Sequence, residues 1–125
     1  MSEACAKELG YVPLAYVGEA TQAGVDPKVM GIGPVPAFRA LEQRNGLSAR
    51  DYELVELNEA FAAQVLACQR ELQFPAERLN VNGGSIAIGH PFAATGARIL
   101  AALAKQLNAA GRGRGLLSVC TAGGM

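Results

Sequence analysis

Cysteine is scarce in this sequence: Cys5, Cys68 and Cys120 are the whole complement, and they lie far apart. An odd, scattered set argues against a disulfide framework, and metal motifs need close pairs, so no zinc site is expected. Three free thiols suit a reducing compartment, and a cytoplasmic location is expected. Net charge is lacking too, with 11 basic residues against 11 acidic ones. Phosphate binding needs concentrated positive charge, so nucleic acid is not an expected partner. The one basic cluster, Arg112-Gly113-Arg114, reads as the solvated end of a helix. No uncharged apolar run is long enough for a membrane span. Met1-Ser2-Glu3 does not open a basic-then-apolar secretory leader.

What is present is the profile of one ordinary domain: 125 residues, 50% of them hydrophobic, enough to bury a core. Fifteen glycines and six prolines punctuate it. Residues 2–9 read as a short helix stopped by Gly10. Leu14–Ala20 has the mixture of apolar and small residues of a strand. A turn-rich stretch through Gly31-Ile32-Gly33-Pro34 precedes a helix opened by Pro36, with Phe38 and Leu41 on one face and Asn45-Gly46 at its end. Tyr52–Leu57 reads as a second strand, after which Asn58 is placed as an N-cap. Phe61, Val65, Cys68 and Leu72 then recur at helical spacing. Leu79–Asn82 is a short strand before Gly83-Gly84, Phe92–Ala109 the longest helix, and Leu116–Cys120 a final strand. In that helix Ile99, Leu100, Leu103 and Leu107 form the expected buried stripe. Strands alternating with helices predict an α/β fold with some parallel pairing. The turn Thr121-Ala122-Gly123-Gly124 ordinarily leads into another strand, so a missing last strand is expected.

Three segments place polar residues at strand ends, where α/β sheets carry their sites: Asn58-Glu59-Ala60-Phe61, Gly89-His90-Pro91 and the turn that begins at Cys120. His90 is the only histidine. A helix follows it, and the positive helix end favours a neutral ring that can donate to an oxyanion or accept a thiol proton. Spacing alone equally allows a capping histidine. Cys120 is a candidate acid, base or nucleophile, or else a buried structural cysteine. Cys68 and Cys5 suit the structural alternative, and capping alone would account for Asn58.

Taken together, these segments resemble a known family. Asn58-Glu59-Ala60-Phe61, the run from Asn80 through Asn82-Gly83-Gly84-Ser85 to Gly89-His90-Pro91, and the Cys120 turn are similar to the three C-terminal signatures of thiolases. Met30-Gly31-Ile32-Gly33-Pro34-Val35-Pro36-Ala37 resembles a fourth segment. The resemblance implies a thiolase-like C-terminal domain, a mixed sheet with helices lacking its last strand. Residues 13–125 would form this incomplete domain, and residues 1–12 would be the tail of a preceding N-terminal region.

It also implies CoA-dependent cleavage of a 3-ketoacyl-CoA or the reverse Claisen condensation. A cysteine from the N-terminal half would be the nucleophile, coenzyme A a substrate, and no cofactor would be tightly bound. Cys120 would be the acid/base. His90 would activate the nucleophile and, with a water held by Asn58, stabilise an enolate oxygen. The Ala122 amide would serve a second oxyanion hole, Met30 and Phe61 would line the acyl-pantetheine pocket, and Glu59 would order the site. Expected partners are acyl-CoA, the N-terminal half of a thiolase and, in the full enzyme, further copies of itself.

The pattern has departures. The nucleophile segment and the adenine-binding loop are absent, Ala93 replaces a common glycine, and Cys120-Thr121-Ala122-Gly123 is less glycine-rich than usual. Phe92 resembles degradative fatty-acid thiolases, which places the chain in β-oxidation. An isolated chain would then be inactive. Two other classes remain: a non-catalytic thiolase-like interaction module, and a cysteine hydrolase using Cys120 and His90.

Overall fold

The computed structural model describes residues 1–124. Two strands, β1 (Leu54–Leu57) and β2 (Gly115–Ser118), pair in parallel with Leu57 opposite Ser118. Leu79 adds one parallel bridge to Val55 on the other side of β1. The described residues also form five α-helices: α1 (Glu3–Glu8), α2 (Pro34–Asn45), α3 (Ala62–Leu72), the single turn α4 (Ser85–Ile88) and α5 (Phe92–Ala110).

Strand alternation divides the structure. Val55, Leu57 and Leu116 face α2 and α3, joining Val35, Phe38, Leu41, Cys68 and Leu72 in one buried cluster. Phe38 sits at its centre, edge-on to Tyr52 at 5.9 Å and to Phe74 at 5.1 Å between ring centroids. Buried aromatic rings in such contacts supply much of a small core's stabilisation. Glu56 and Gly115 point to the opposite face, under α5, whose Thr95, Ile99 and Leu103 form its buried stripe. Gly115 lets that helix come close, because a Cβ there would lie 2.6 Å from a Leu103 methyl carbon.

α2 starts at Pro34, two residues earlier than expected, since proline at the first turn sacrifices no helical hydrogen bond. It ends at Gly46, whose φ of 70° is the left-handed cap glycine adopts without strain. Several expectations are corrected. Leu14–Ala20 is exposed and forms no strand, since no sheet edge pairs with it among the described residues. Consequently the described sheet is parallel throughout rather than mixed. The stretch Leu79–Asn82 supplies only its bridge residue, because Asn80 turns into the left-handed region at φ 47°.

α3 begins after Phe61, not at Asn58: the chain bends at Ala60, where its N–H donates to the Asn58 carbonyl at 3.1 Å. Phe61 is extended and 66% exposed, and Gln64 takes the buried place instead. Leu100 likewise lies outside the buried stripe of α5. No helix of the described residues is long and apolar enough to cross a membrane.

Candidate active site

Asn58 leaves β1 at the same edge from which Cys120 leaves β2. The Asn58 N–H donates to the Ser118 carbonyl at 2.9 Å, continuing the ladder one step beyond the strand. Cys120 lies two residues past β2 and is buried. The geometry is that of parallel strands delivering side chains to their carboxyl ends.

His90 arrives from a different direction. α4 closes on Gly89, whose φ of 86° swings the chain outward, and α5 begins two residues after the histidine. The ring comes to Asn58 across 32 residues of sequence: Asn58 Nδ2 lies 3.5 Å from His90 Nε2. On the ring's far side Nδ1 is 2.7 Å from the Thr95 hydroxyl, which donates to the Pro91 carbonyl at 3.2 Å. Phe92 stands edge-on to the imidazole, 5.1 Å between centroids.

Asn58 is not an N-cap, because its amide is committed elsewhere. Its Oδ1 accepts from the Ser85 hydroxyl at 2.6 Å, and Ser85 Oγ accepts from Arg98 at 3.1 Å. A side chain 2% exposed with both ends of its amide engaged is held in one orientation. The neighbouring Glu59 ties down the loop before α4. One carboxylate oxygen accepts the Ile86 N–H at 3.0 Å and the other accepts from Asn80 Nδ2 at 3.2 Å. Asn80 in turn pairs with both backbone groups of Leu57, accepting its N–H at 2.8 Å and donating to its carbonyl at 2.9 Å. Its side chain thus stands in for a strand partner at the end of β1.

The Cys120 turn is anchored at Gly124, where a Cβ would overlap the Val25 carbonyl oxygen. The Val25 N–H donates to the Gly124 carbonyl at 2.7 Å, which sets the start of the Met30 segment beside this turn. Ala122 is exposed, and its N–H meets no acceptor among the described residues. Met30 is half-buried in the 3₁₀ segment Pro27–Ile32, which packs on α3.

Burial pushes the Cys120 thiol above its ordinary range, with its own backbone amide pulling partly back. A thiol so placed is protonated near neutrality, which suits a proton donor better than a resting nucleophile. Cys68 is pushed up for the same reason; its thiol donates to the Gly31 carbonyl at 3.4 Å. No three His, Cys, Asp or Glu side chains converge as a metal site would need, among the described residues. An open groove between α2 and α3, lined by Ile32, Val35, Arg39, Ala67, Arg70 and Glu71, contains none of the candidates.

The structure therefore joins Asn58 and His90 directly and brings Cys120 out at the same carboxyl end of the sheet as Asn58. No hydrogen bond ties Cys120 or the exposed Ala122 to this pair among the described residues. Met30 and Phe61 stand outside this hydrogen-bonded group. Residues 11–125 match the family model described as "Thiolase, C-terminal domain". The chain belongs to the thiolase family.

An acetyl-CoA acetyltransferase from Cupriavidus necator is 50% identical over 125 residues, which is all of this chain and 32% of that protein. The crystal structure of the Bacillus anthracis acetyl-CoA acetyltransferase superposes with a TM-score of 0.94 at 48% identity, covering 99% of this chain and 32% of that one. Human mitochondrial 3-ketoacyl-CoA thiolase, solved in complex with CoA, superposes with a TM-score of 0.92 at 44% identity, covering 98% of this chain and 31% of that one. The thiolase domain described here thus spans about a third of the length of the relatives it matches.

Asn80 and Ser85 lie within the signature run but have no role assigned there, and Thr95 and Arg98 lie outside it. Arg98 does leave one trace in the sequence, as the only charged residue between Phe92 and Ala104.

Proposed function

We propose that this chain supplies the acid/base and oxyanion-binding part of a thiolase active site. The whole enzyme would cleave a 3-ketoacyl-CoA with coenzyme A to acetyl-CoA and a shortened acyl-CoA, or run the reverse Claisen condensation. The observation that carries the proposal is the pairing of His90 with Asn58 at the strand edge that also bears the buried thiol of Cys120.

In this scheme a cysteine from the N-terminal half of a thiolase gives its proton to His90 Nε2 and attacks the ketone carbon. The carbon–carbon bond breaks and acetyl-CoA leaves as its enolate. Cys120 protonates that enolate, a step for which a thiol held in its neutral form is well matched, since a thioester enolate is the far stronger base. The resulting Cys120 thiolate then takes the proton of incoming CoA, whose sulfur collects the acyl group as the nucleophilic cysteine leaves as a thiolate and recovers its proton from His90. His90, charged after its proton uptake, and a water held by Asn58 stabilise oxyanion character, and the Ala122 N–H serves the second oxyanion. A preorganised donor of this kind is worth about 3–4 kcal/mol of barrier. Met30 and Phe61 line the acyl-pantetheine pocket. The cleavage direction, with a place in β-oxidation, rests on Phe92 alone.

Exposed apolar side chains around the site, namely Phe61, Ile86, Ile88 and Phe92, support its completion by another thiolase segment. Within this reading residues 1–12 are the tail of a preceding region and residues 13–125 the C-terminal domain.

The test follows CoA-dependent loss of a 3-ketoacyl-CoA by the chain alone and after mixing with an N-terminal thiolase half, with intact mass recorded alongside. Turnover only in the mixture, lost in His90→Ala and in Cys120→Ala, is expected. Turnover by the chain alone with an acyl adduct on Cys120 would overturn the assignment of roles. A stable complex without turnover would favour the non-catalytic interaction module.

A further inference from the structure

His90 makes two hydrogen bonds whose directions are not independent, and counting donors along the network decides them. Arg98 is the fixed end, because a guanidinium can only donate. Its Nη2 donates to Ser85 Oγ at 3.1 Å, so the single Ser85 hydroxyl proton is directed onward to the Asn58 amide. The 2.6 Å separation from Asn58 Oδ1 is that of an O–H···O bond, shorter than an amide N–H donor normally allows. Asn58 is thereby oriented with its oxygen on Ser85 and its Nδ2 donors turned to His90 Nε2. A nitrogen facing a donor must present its lone pair. The proton of a neutral ring then resides on Nδ1, where the Thr95 oxygen accepts it at 2.7 Å while the Thr95 hydroxyl proton goes to the Pro91 carbonyl.

The reverse arrangement leaves groups unpaired. With the proton on Nε2, two N–H groups, that of the ring and that of Asn58 Nδ2, would face each other at 3.5 Å with no acceptor between them. The Thr95 hydroxyl would also have to leave the Pro91 carbonyl to serve Nδ1. Thr95 is 0% exposed and Ser85 8% exposed, so solvent is poorly placed to make up the deficit.

We infer that Arg98, Ser85 and Thr95 are positioning residues that hold His90 in the Nδ1–H tautomer, leaving Nε2 as the atom that accepts and returns a proton. The inference deepens the proposed thiolase function and rests on it for its catalytic meaning, but the tautomer is measurable without any activity.

His90 is the only histidine in the chain, so ¹⁵N-histidine labelling gives one imidazole and no assignment problem. Long-range ¹H–¹⁵N correlation spectra at alkaline pH, where a neutral ring is observed, distinguish the two tautomers by which nitrogen has the pyridine-like shift. A pyridine-like Nε2 is expected in the unmodified chain, against the Nε2–H preference of a free imidazole. Thr95→Val should lower the ratio of Nδ1–H to Nε2–H about five- to tenfold, the population equivalent of one neutral hydrogen bond. Thr95→Ser, which keeps the hydroxyl, should restore it. Arg98→Met should also lower the ratio, although it touches nothing on the ring.

An Nε2–H ring in the unmodified chain would overturn the inference, and that spectrum decides even if a variant fails to fold. An unchanged ratio in a folded Thr95→Val chain would overturn it as well. In the complemented mixture, turnover alongside an Nε2–H ring would refute the positioning network alone. The expected tautomer without turnover would refute the thiolase function alone.

Discussion

Gly84→Ala should destabilise the domain by about 2–3 kcal/mol, and the reason lies in Glu59 rather than in the glycine backbone. Gly84 has φ −146° and ψ −149°, so it does not sit in the positive-φ region reserved for glycine. An added Cβ, however, would lie 2.6 Å from Glu59 Oε2 and 2.7 Å from its Cδ. The carboxylate must then move off its two donors, the Ile86 N–H at 3.0 Å and Asn80 Nδ2 at 3.2 Å. Hydrogen bonds to a charged acceptor contribute about 1.5–3 kcal/mol each when fully desolvated. Two such bonds sum to about 3–6 kcal/mol; Glu59 is only half-buried, so water replaces about half of the loss and about 2–3 kcal/mol remains.

For a domain of this size that corresponds to a Tm lower by about 8–12 °C. Urea unfolding of four chains provides the assay: the unmodified one, Gly84→Ala, Glu59→Ala and the double substitution. With the carboxylate already removed, the alanine methyl finds open space, and its cost in that background should fall to within about 0.5 kcal/mol of zero. Equal costs in both backgrounds would refute the reasoning, because the carboxylate would then play no part in excluding a side chain at position 84.

Gly115→Ala should cost about 1–3 kcal/mol by driving α5 off β2, and less where Leu103→Ala has cleared the space; an unaffected urea midpoint would contradict the close approach of helix and sheet. Burial holds the Glu56 carboxyl above its ordinary range, with Arg98 and Gln106 partly offsetting the effect. The native state therefore keeps its proton to higher pH than the unfolded chain does. Stability from this group is fully present below the ordinary carboxylate range and is lost as pH rises through the raised value. Glu56→Gln should flatten the fall in unfolding free energy above about pH 4, and an unchanged slope would refute the assignment. Alkylation of Cys120 by iodoacetamide, followed by mass spectrometry after digestion, should have a pH profile displaced above that of a free thiol. A profile displaced below it would restore Cys120 as a candidate resting nucleophile.

Local chemistry was legible in the sequence, and distant pairing was not. The end of α2 follows from Gly46, its start lies two residues before the expected Pro36, and the long apolar run of α5 reads as a helix. Leu14–Ala20 shows the limit. Its composition suits a strand, but a strand exists only where an edge receives it, and composition carries no information about edges. Asn58 fails in the same way. An asparagine before a helical pattern resembles a cap, and only the fold brings Ser85 and His90, 27 and 32 residues away, to compete for its amide. The thiolase signatures located His90, Cys120 and Asn58 because they are short contiguous strings. Thr95 and Arg98 support those residues from a helix face, where contiguity conveys nothing. Ser85, although inside a signature, has a role that only its contacts with Asn58 and Arg98 reveal.

Arg98 connects the two halves of this picture. The face of the sheet under α5 holds Glu56, a buried carboxylate, while the strand edge holds the polar network around His90. The guanidinium faces both: its charge favours the ionised form of Glu56, and its Nη2 begins the sequence of donors that ends at the ring. Arg98 is half-buried and its Nε meets no partner among the described residues, so holding that charge against the sheet has a cost. A hydrophobic residue of similar volume would pack there more cheaply. What such a residue could not supply is a donor that never accepts, and hence a fixed direction for the hydrogen bonds of Ser85 and Asn58. The stability given up at position 98 is therefore best understood as the cost of holding the His90 ring in one protonation geometry.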